Sequence, residues 1–245
     1  MAKTSYRIAP GVQVYRALID PLVAGLRPRI VGLCRALGAR NVVDIACATG
    51  AQSRALGRAG LRATGVDLSA DMVRGATRLG GPNVRYVHAS ALNLPFPTAS
   101  FDAALLVLAL HEHCEAERTA MLAEAFRVTR PGGYLVVGDF AAPSRPRLHL
   151  PWQGVRLVER LAGGEHHAGF RDFVARGSLG GLLDRHGLTP VRWDTSHRGT
   201  IAIAAVPAGS REIGGAELEP DESEEMAAPG EAGPAPGQPG ARRGA

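Results

Sequence analysis

The stretch Asn41-Val42-Val43-Asp44-Ile45-Ala46-Cys47-Ala48-Thr49-Gly50 decides how this chain is read. Its first six residues are an apolar run broken once by an acid, which predicts a short buried strand from Asn41 to Ala46. Four small residues follow, and helical spacing then opens at about Ala51 and runs to Ala59. Strand, small-residue turn and helix in that order begin a parallel α/β unit. The alternation continues downstream. Arg62–Asp67 predicts a second strand, and Ser69 caps a helix running to about Leu79. Asp71 falls in the first turn of that helix, where the positive end of the dipole favours an acid. Asn83–Ala89 predicts a third strand. Asp102–Leu110 is a longer apolar run, expected as a central strand buried on both faces. Glu115–Val128 predicts a helix with the apolar stripe Met121, Leu122, Ala125, Phe126 and Val128. Pro131-Gly132-Gly133 predicts a turn before a fifth strand, Tyr134–Phe140. Residues 147–177 read as irregular helices, and Leu179–His186 as a helix stopped by Gly187. Pro190–Thr195 and Thr200–Val206 predict a hairpin, which adds an antiparallel edge to the sheet. Upstream, residues 12–37 have helical spacing broken by Pro21 and Pro28. The expected class is therefore α/β, a doubly wound, mostly parallel seven-stranded sheet. In such sheets a ligand sits beyond the carboxyl ends of the strands, which selects the loops after Ala46, Asp67, Ala89 and Leu110.

Length and charge narrow the alternatives. The chain has 245 residues, 28 basic and 23 acidic side chains, and a formal net charge of +5. Residues 207–245 carry eight acids and three bases, so residues 1–206 hold the other 25 bases and 15 acids. The last stretch is rich in Pro and Gly with almost no large apolar residues. It is expected to stay disordered, leaving one domain over 1–206. Three cysteines, Cys34, Cys47 and Cys114, do not make a disulfide framework and fit a reducing compartment. The first residues lack the apolar core of a secretory signal, and no apolar run is long enough to span a bilayer. A soluble cytoplasmic protein is expected, with peripheral membrane contact left open. The arginines are scattered rather than clustered, so a nucleic-acid partner is not expected.

The loops carry the chemistry. Small residues from Ala46 to Gly50 let a ligand approach the backbone, and the helix start offers amide groups to a negative charge. Asp67, at the tip of strand two, is placed to accept hydrogen bonds from two ribose hydroxyls. His88-Ala89-Ser90-Ala91-Leu92-Asn93-Leu94-Pro95-Phe96, Ser100-Phe101-Asp102 and Val128-Thr129-Arg130-Pro131-Gly132-Gly133 follow in order. Together with Asp44–Gly50 and Gly65–Ser69, these segments resemble class I S-adenosylmethionine-dependent methyltransferases. The closer likeness is to the branch holding the ubiquinone and menaquinone C-methyltransferases, also called methyltransferase type 11. The likeness covers residues 40–140 and implies a Rossmann-like fold and S-adenosylmethionine as cofactor.

What the resemblance implies for single residues is specific. Asp44 would hold the methionine amino group, and Ala46, Cys47, Ala48 and Gly50 would line the methionine and ribose. Asp67 would bind the ribose hydroxyls, with Leu68 against the adenine and Ser90 and Ala91 at its edge. Leu108 to His111 would pass beneath the reactive methyl group. Ala46 and Ala48 replace two glycines of the family loop, and Ser90 stands where an acid is usual. These departures keep a second reading open, a module of the same fold that has lost the cofactor. A nicotinamide-dependent oxidoreductase shares the strand, loop and acid layout, but Ala46–Ala51 lacks G-x-G-x-x-G. The leading expectation is methyl transfer to a small, quinol-like or phenolic acceptor. His111 is the candidate base or acceptor contact, with Glu112 or Glu165 as partner. His111 and His113 invite a metal reading, but no third and fourth ligand is apparent at a useful spacing, so no metal is expected. Trp152, His166, His167, Phe170 and Phe173 fall where such folds cover the acceptor pocket, and Tyr6 and Tyr15 would close its other side. Acceptor identity and oligomeric state are not legible.

Overall fold

Asn41–Ile45 form β1, with four of the five residues buried, because a strand at the centre of a parallel sheet is covered on both faces. The computed structural model describes residues 15–143, 146–161 and 164–209, all within one compact unit. The predicted tail starts too early at 207, since Pro207 pairs with Tyr134 in the sheet; its residues beyond Gly209, Tyr6, and the side chains of Tyr15 and Glu165 lie outside the described residues.

Seven strands form one sheet in the order β3-β2-β1-β4-β5-β7-β6. They are β1, β2 (Arg62–Asp67), β3 (Val84–His88), β4 (Phe101–Val107), β5 (Thr129–Phe140), β6 (Arg192–Ser196) and β7 (Ile201–Pro207). β1 pairs in parallel with β2 and β4, and β4 with β5. β7 runs antiparallel between β5 and β6. The winding therefore reverses between β1 and β4, where a ligand crevice opens. The helices are α1 (Leu26–Ala36), α2 (Ala51–Arg58), α3 (Ala70–Leu79), α4 (Glu115–Val128), α5 (Leu150–Leu161), α6 (Gly164–Ala175) and α7 (Ser178–Arg185). The Ser69 hydroxyl accepts from the Met72 amide at the start of α3, as its residue type predicts.

Three expectations are corrected. The central strand ends at Val107, not Leu110. Leu108 adopts φ 54°, and a 3-10 turn over Leu110–Glu112 follows. The amides of Leu110 and His111 are then free to donate to the Asp139 carboxylate. Pro131-Gly132-Gly133 does not break β5 but bulges within it: Phe101 faces Thr129 and Ala103 faces Tyr134. Residues 150–161 and 164–175 are regular helices, because Trp152, Phe170 and Phe173 give them buried anchors.

The tie between α6 and the sheet is polar. Arg118 on α4 is fully buried. Its guanidinium donates to the Leu110 and Gly169 carbonyls and to the Glu115 and Asp172 carboxylates, and it lies over the Phe173 ring. α6 also comes close enough at Gly169 that an added Cβ would lie 2.5 Å from the Glu112 carbonyl oxygen. Glycine there lets the helix rest on the turn that carries His111 and Glu112.

Candidate functional site

The loop after β1 is tight. Gly50 opens α2 at φ 71°, and an added Cβ would collide with the Tyr86 ring. Ala46 and Ala48 also lie in the left-handed region, at φ 57° and 47°. Left-handed alanine costs about 1–2 kcal/mol, partly offset by its smaller loss of backbone entropy than glycine. Replacing Ala48 by glycine is therefore expected to stabilise the fold by about 0.5–1 kcal/mol, or roughly 2 °C in Tm. Calorimetric melting checks this; an unchanged or lower Tm would rule out strain at that position.

Asp67 ends β2. One carboxylate oxygen accepts from the Ala48 amide at 2.7 Å and the other from the Ser69 amide at 2.9 Å. An ionised carboxylate has about four lone-pair sites, so it can still accept from two hydroxyls. Burial raises its pKa, while the Ser69 and Ala48 amides oppose the shift. Leu68 beside it is largely exposed, free to lie against a planar ring. Ser90 and Ala91 sit on the loop after β3, next to the Asp67 loop but outside the pocket linings. The Ser90 hydroxyl accepts from the Leu92 amide in a local turn.

Asp44 is buried on β1, and Ser53 of α2 donates to it. Burial pushes its pKa up to about 6 despite that hydrogen bond. The buried Cys47 thiol is likewise raised, by burial and then the Asp44 and Asp67 charges. Asp44, Ala46, Cys47 and Ala48 line a pocket of about 50 Å³ together with Asp20, Arg27 and Gln52. The Gln52 side chain is buried with neither amide atom partnered. An orphaned amide beside a carboxylate and a guanidinium matches an α-amino acid group, which carries both charges. Asp20 pairs with Arg27 at 2.7 Å and accepts from Thr49 at 2.7 Å, pinning the segment before α1 onto the loop. The residues therefore fit S-adenosylmethionine at both ends. Asp20, Arg27 and Gln52 were missed in the sequence because no local pattern joins residues 20–27 to this loop.

Beyond this pocket lies a cavity of about 850 Å³. Leu22, Val107, Leu108, Phe140, Val155 and Val158 give it apolar walls, and Ala46, Ala48, Asp67, Ser69 and Met72 line it on the side of the two cofactor loops. One corner is polar and holds His111, Glu112, Glu159 and His166. His111 is 4% exposed. Its Nδ1 lies 2.9 Å from Asp139 and its Nε2 lies 3.8 Å from Glu159. His166 contacts Glu159 through Nε2 at 2.7 Å and Glu112 through Nδ1 at 3.0 Å. Burial opposes charge on His111, but the Asp139, Glu159 and Glu112 carboxylates outweigh it and raise its pKa. Hydrogen bonds donated to the Glu112 and Glu159 carboxylates push His166 up to about 10. Glu112 is lowered although burial opposes this, because His166 and His111 stabilise its charge. The hydrogen-bond partner of His111 is thus Asp139, at the end of β5, rather than Glu112. An acid closing the otherwise apolar Leu135–Phe140 run was the available sequence signal. His113 lies between Glu117, 3.3 Å from its Nδ1, and Glu112, 3.9 Å from its Nε2. Phe140 packs edge to face with both Trp152 and Phe170, and those two rings are tilted against each other.

Residues 43–137 match the family described as "Methyltransferase domain". An uncharacterised methyltransferase of Mycobacterium tuberculosis (strain H37Rv) is 35% identical over 158 residues, covering 63% of this chain and 73% of that protein. The chain belongs to the class I S-adenosylmethionine-dependent methyltransferases. Family membership makes S-adenosylmethionine its cofactor. A demethylmenaquinone methyltransferase of Clavibacter sepedonicus is 37% identical over 108 residues, and the match spans only 43% of each chain. In fold, the chain is similar to the magnesium protoporphyrin IX methyltransferase of Synechocystis bound to S-adenosylhomocysteine. That match has a TM-score of 0.57 and 17% identity, and covers 82% of this chain and 95% of that one. Among the described residues, no helix is long and apolar enough to cross a membrane.

Proposed function

We propose that the chain transfers a methyl group from S-adenosylmethionine to a small, largely apolar acceptor bearing an ionisable hydroxyl, of the quinol or phenol kind. The observation that carries this reading is the cavity of about 850 Å³ that runs from Ala48 and Asp67 past Leu108 to His111, with Leu22, Phe140, Val155 and Val158 among its apolar walls. The similarity to demethylmenaquinone methyltransferases supports a quinol-like acceptor. The cofactor supplies an already activated methyl group, so the protein has chiefly to align the two reactants. Asp67 holds the ribose, and Asp44, Arg27 and Gln52 hold the amino acid end. Ala46 and Ala48 keep the intervening backbone close. His111 faces the acceptor, with Asp139 accepting from Nδ1–H so that Nε2 can take the hydroxyl proton as the methyl arrives.

Calorimetric titration with S-adenosylmethionine, its demethylated product and NAD tests the cofactor, and turnover of a naphthoquinol tests the acceptor class. Binding of the two sulfur compounds without NAD is expected; no binding up to millimolar concentration would reject the reading. Asp67→Ala is expected to weaken cofactor binding by more than tenfold, since hydrogen bonds to a charged group contribute about 1.5–3 kcal/mol each. The same titration checks it, and an unchanged affinity would move the ribose away from Asp67.

A further inference from the structure

We propose that His111, Glu159 and His166 form a site for one divalent transition-metal ion of the zinc class, in the polar corner of the acceptor cavity. The three side chains come from the turn after β4, from α5 and from α6. Their ligand atoms all lie within 4.8 Å of one another. Glu159 Oε2 is 3.8 Å from His111 Nε2 and 2.7 Å from His166 Nε2. Ligand atoms around a tetrahedral ion with bonds of about 2.1 Å are about 3.4 Å apart, a spacing the two observed distances bracket.

The outer partners support the same assignment. Asp139 Oδ1 lies 2.9 Å from His111 Nδ1, and Glu112 Oε2 lies 3.0 Å from His166 Nδ1. Each ring is therefore held by a carboxylate on one nitrogen and turns the other toward Glu159. Ligating histidines are oriented in this way, the carboxylate fixing both tautomer and ring plane. Charge points in the same direction. Glu159 and Asp139 are buried acids within reach of His111, and a dication would offset them while replacing the proton between His166 and Glu159. The group also opens on the cavity of about 850 Å³. Two histidines, one glutamate and a free position toward a pocket are the layout of a reactive rather than a structural zinc site.

Metal binding stands independently of the acceptor; what the ion would do rests on the proposed methyl transfer. A hydroxyl bound to the ion loses its proton more readily, so in the loaded protein the ion takes that part and His111 becomes its ligand.

The test uses the full chain, freed of metal with a chelator that is then removed. It is titrated with Zn²⁺ alone by calorimetry and with Co²⁺ by visible absorption, without cofactor or acceptor. Failure here and failure of methyl transfer are thus read separately. One ion per chain and a four-coordinate Co²⁺ band are expected. Glu159→Gln and His166→Ala should each weaken binding by about 100-fold, whereas His113→Ala should leave it unchanged. His166 is only partly buried, so its variant carries the test if Glu159→Gln fails to fold, as melting curves will show. No uptake at millimolar Zn²⁺ would overturn the proposal. So would uptake indifferent to His166→Ala, which would place the ion at an adventitious surface site.

Discussion

Replacing His111 by alanine is expected to lower kcat by about 10²–10⁴-fold, the usual worth of a positioned proton acceptor. Affinity for S-adenosylmethionine should change little. Asp67, Asp44, Arg27 and Gln52 are the residues proposed to hold the cofactor, and none of them bonds to His111. The variant should also fold. Asp139, the partner left behind, still accepts from the amides of Leu110, His111 and Phe140, so its buried charge is not orphaned. His111→Gln keeps a side chain able to donate to Asp139 and separates packing from proton transfer: it should turn over as slowly as the alanine variant. Measuring kcat and cofactor affinity together makes the comparison, first in chelator and then with Zn²⁺. A kcat within about threefold of the parent, against that expectation, would reduce His111 to a cap on the strand end.

Arg118→Ala is expected to destabilise the fold by about 3–5 kcal/mol, the cost of removing one member of a buried polar network. The change leaves the Leu110 and Gly169 carbonyls without their donor and opens a void beside Phe173. At roughly 2–4 °C per kcal/mol for a domain of this size, Tm should fall by about 10 °C. Lysine should not rescue it. A point charge with three donors cannot span two carbonyls and two carboxylates as the planar guanidinium does. The loss should reach the site as well, because Arg118 joins the turn carrying His111 to the helix carrying His166. Zn²⁺ affinity and kcat should drop below the melting transition. A Tm within about 2 °C of the parent would mean that Gly169 packing alone holds α6 in place.

Most of the sheet was legible because its signals are local. The apolar run of β1, the acid ending β2 and the Ser69 cap each depend on neighbours a few residues away. Errors gathered where distant segments meet. Leu110 was assigned to β4 because it continues an apolar run; the chain turns at Leu108, where the Asp139 carboxylate collects two amides just beyond the strand end. Residues 147–177 read as irregular, although 152–161 carry apolar side chains at helical spacing, because the contacts to Phe140 and Arg118 that fix these helices come from distant segments.

The sequence by itself determined the fold class and, through its resemblance to the family, the cofactor, since the motifs that carry both reside in ordered local segments. The tertiary structure decided what stands around His111. Asp139, Glu159 and His166 lie 28, 48 and 55 residues away along the chain. Only the pairing of β5 with β4 and the docking of α5 and α6 through Arg118 and Gly169 bring them within a few ångströms. No local pattern encodes that meeting, because long-range packing selects the register between elements after each has formed.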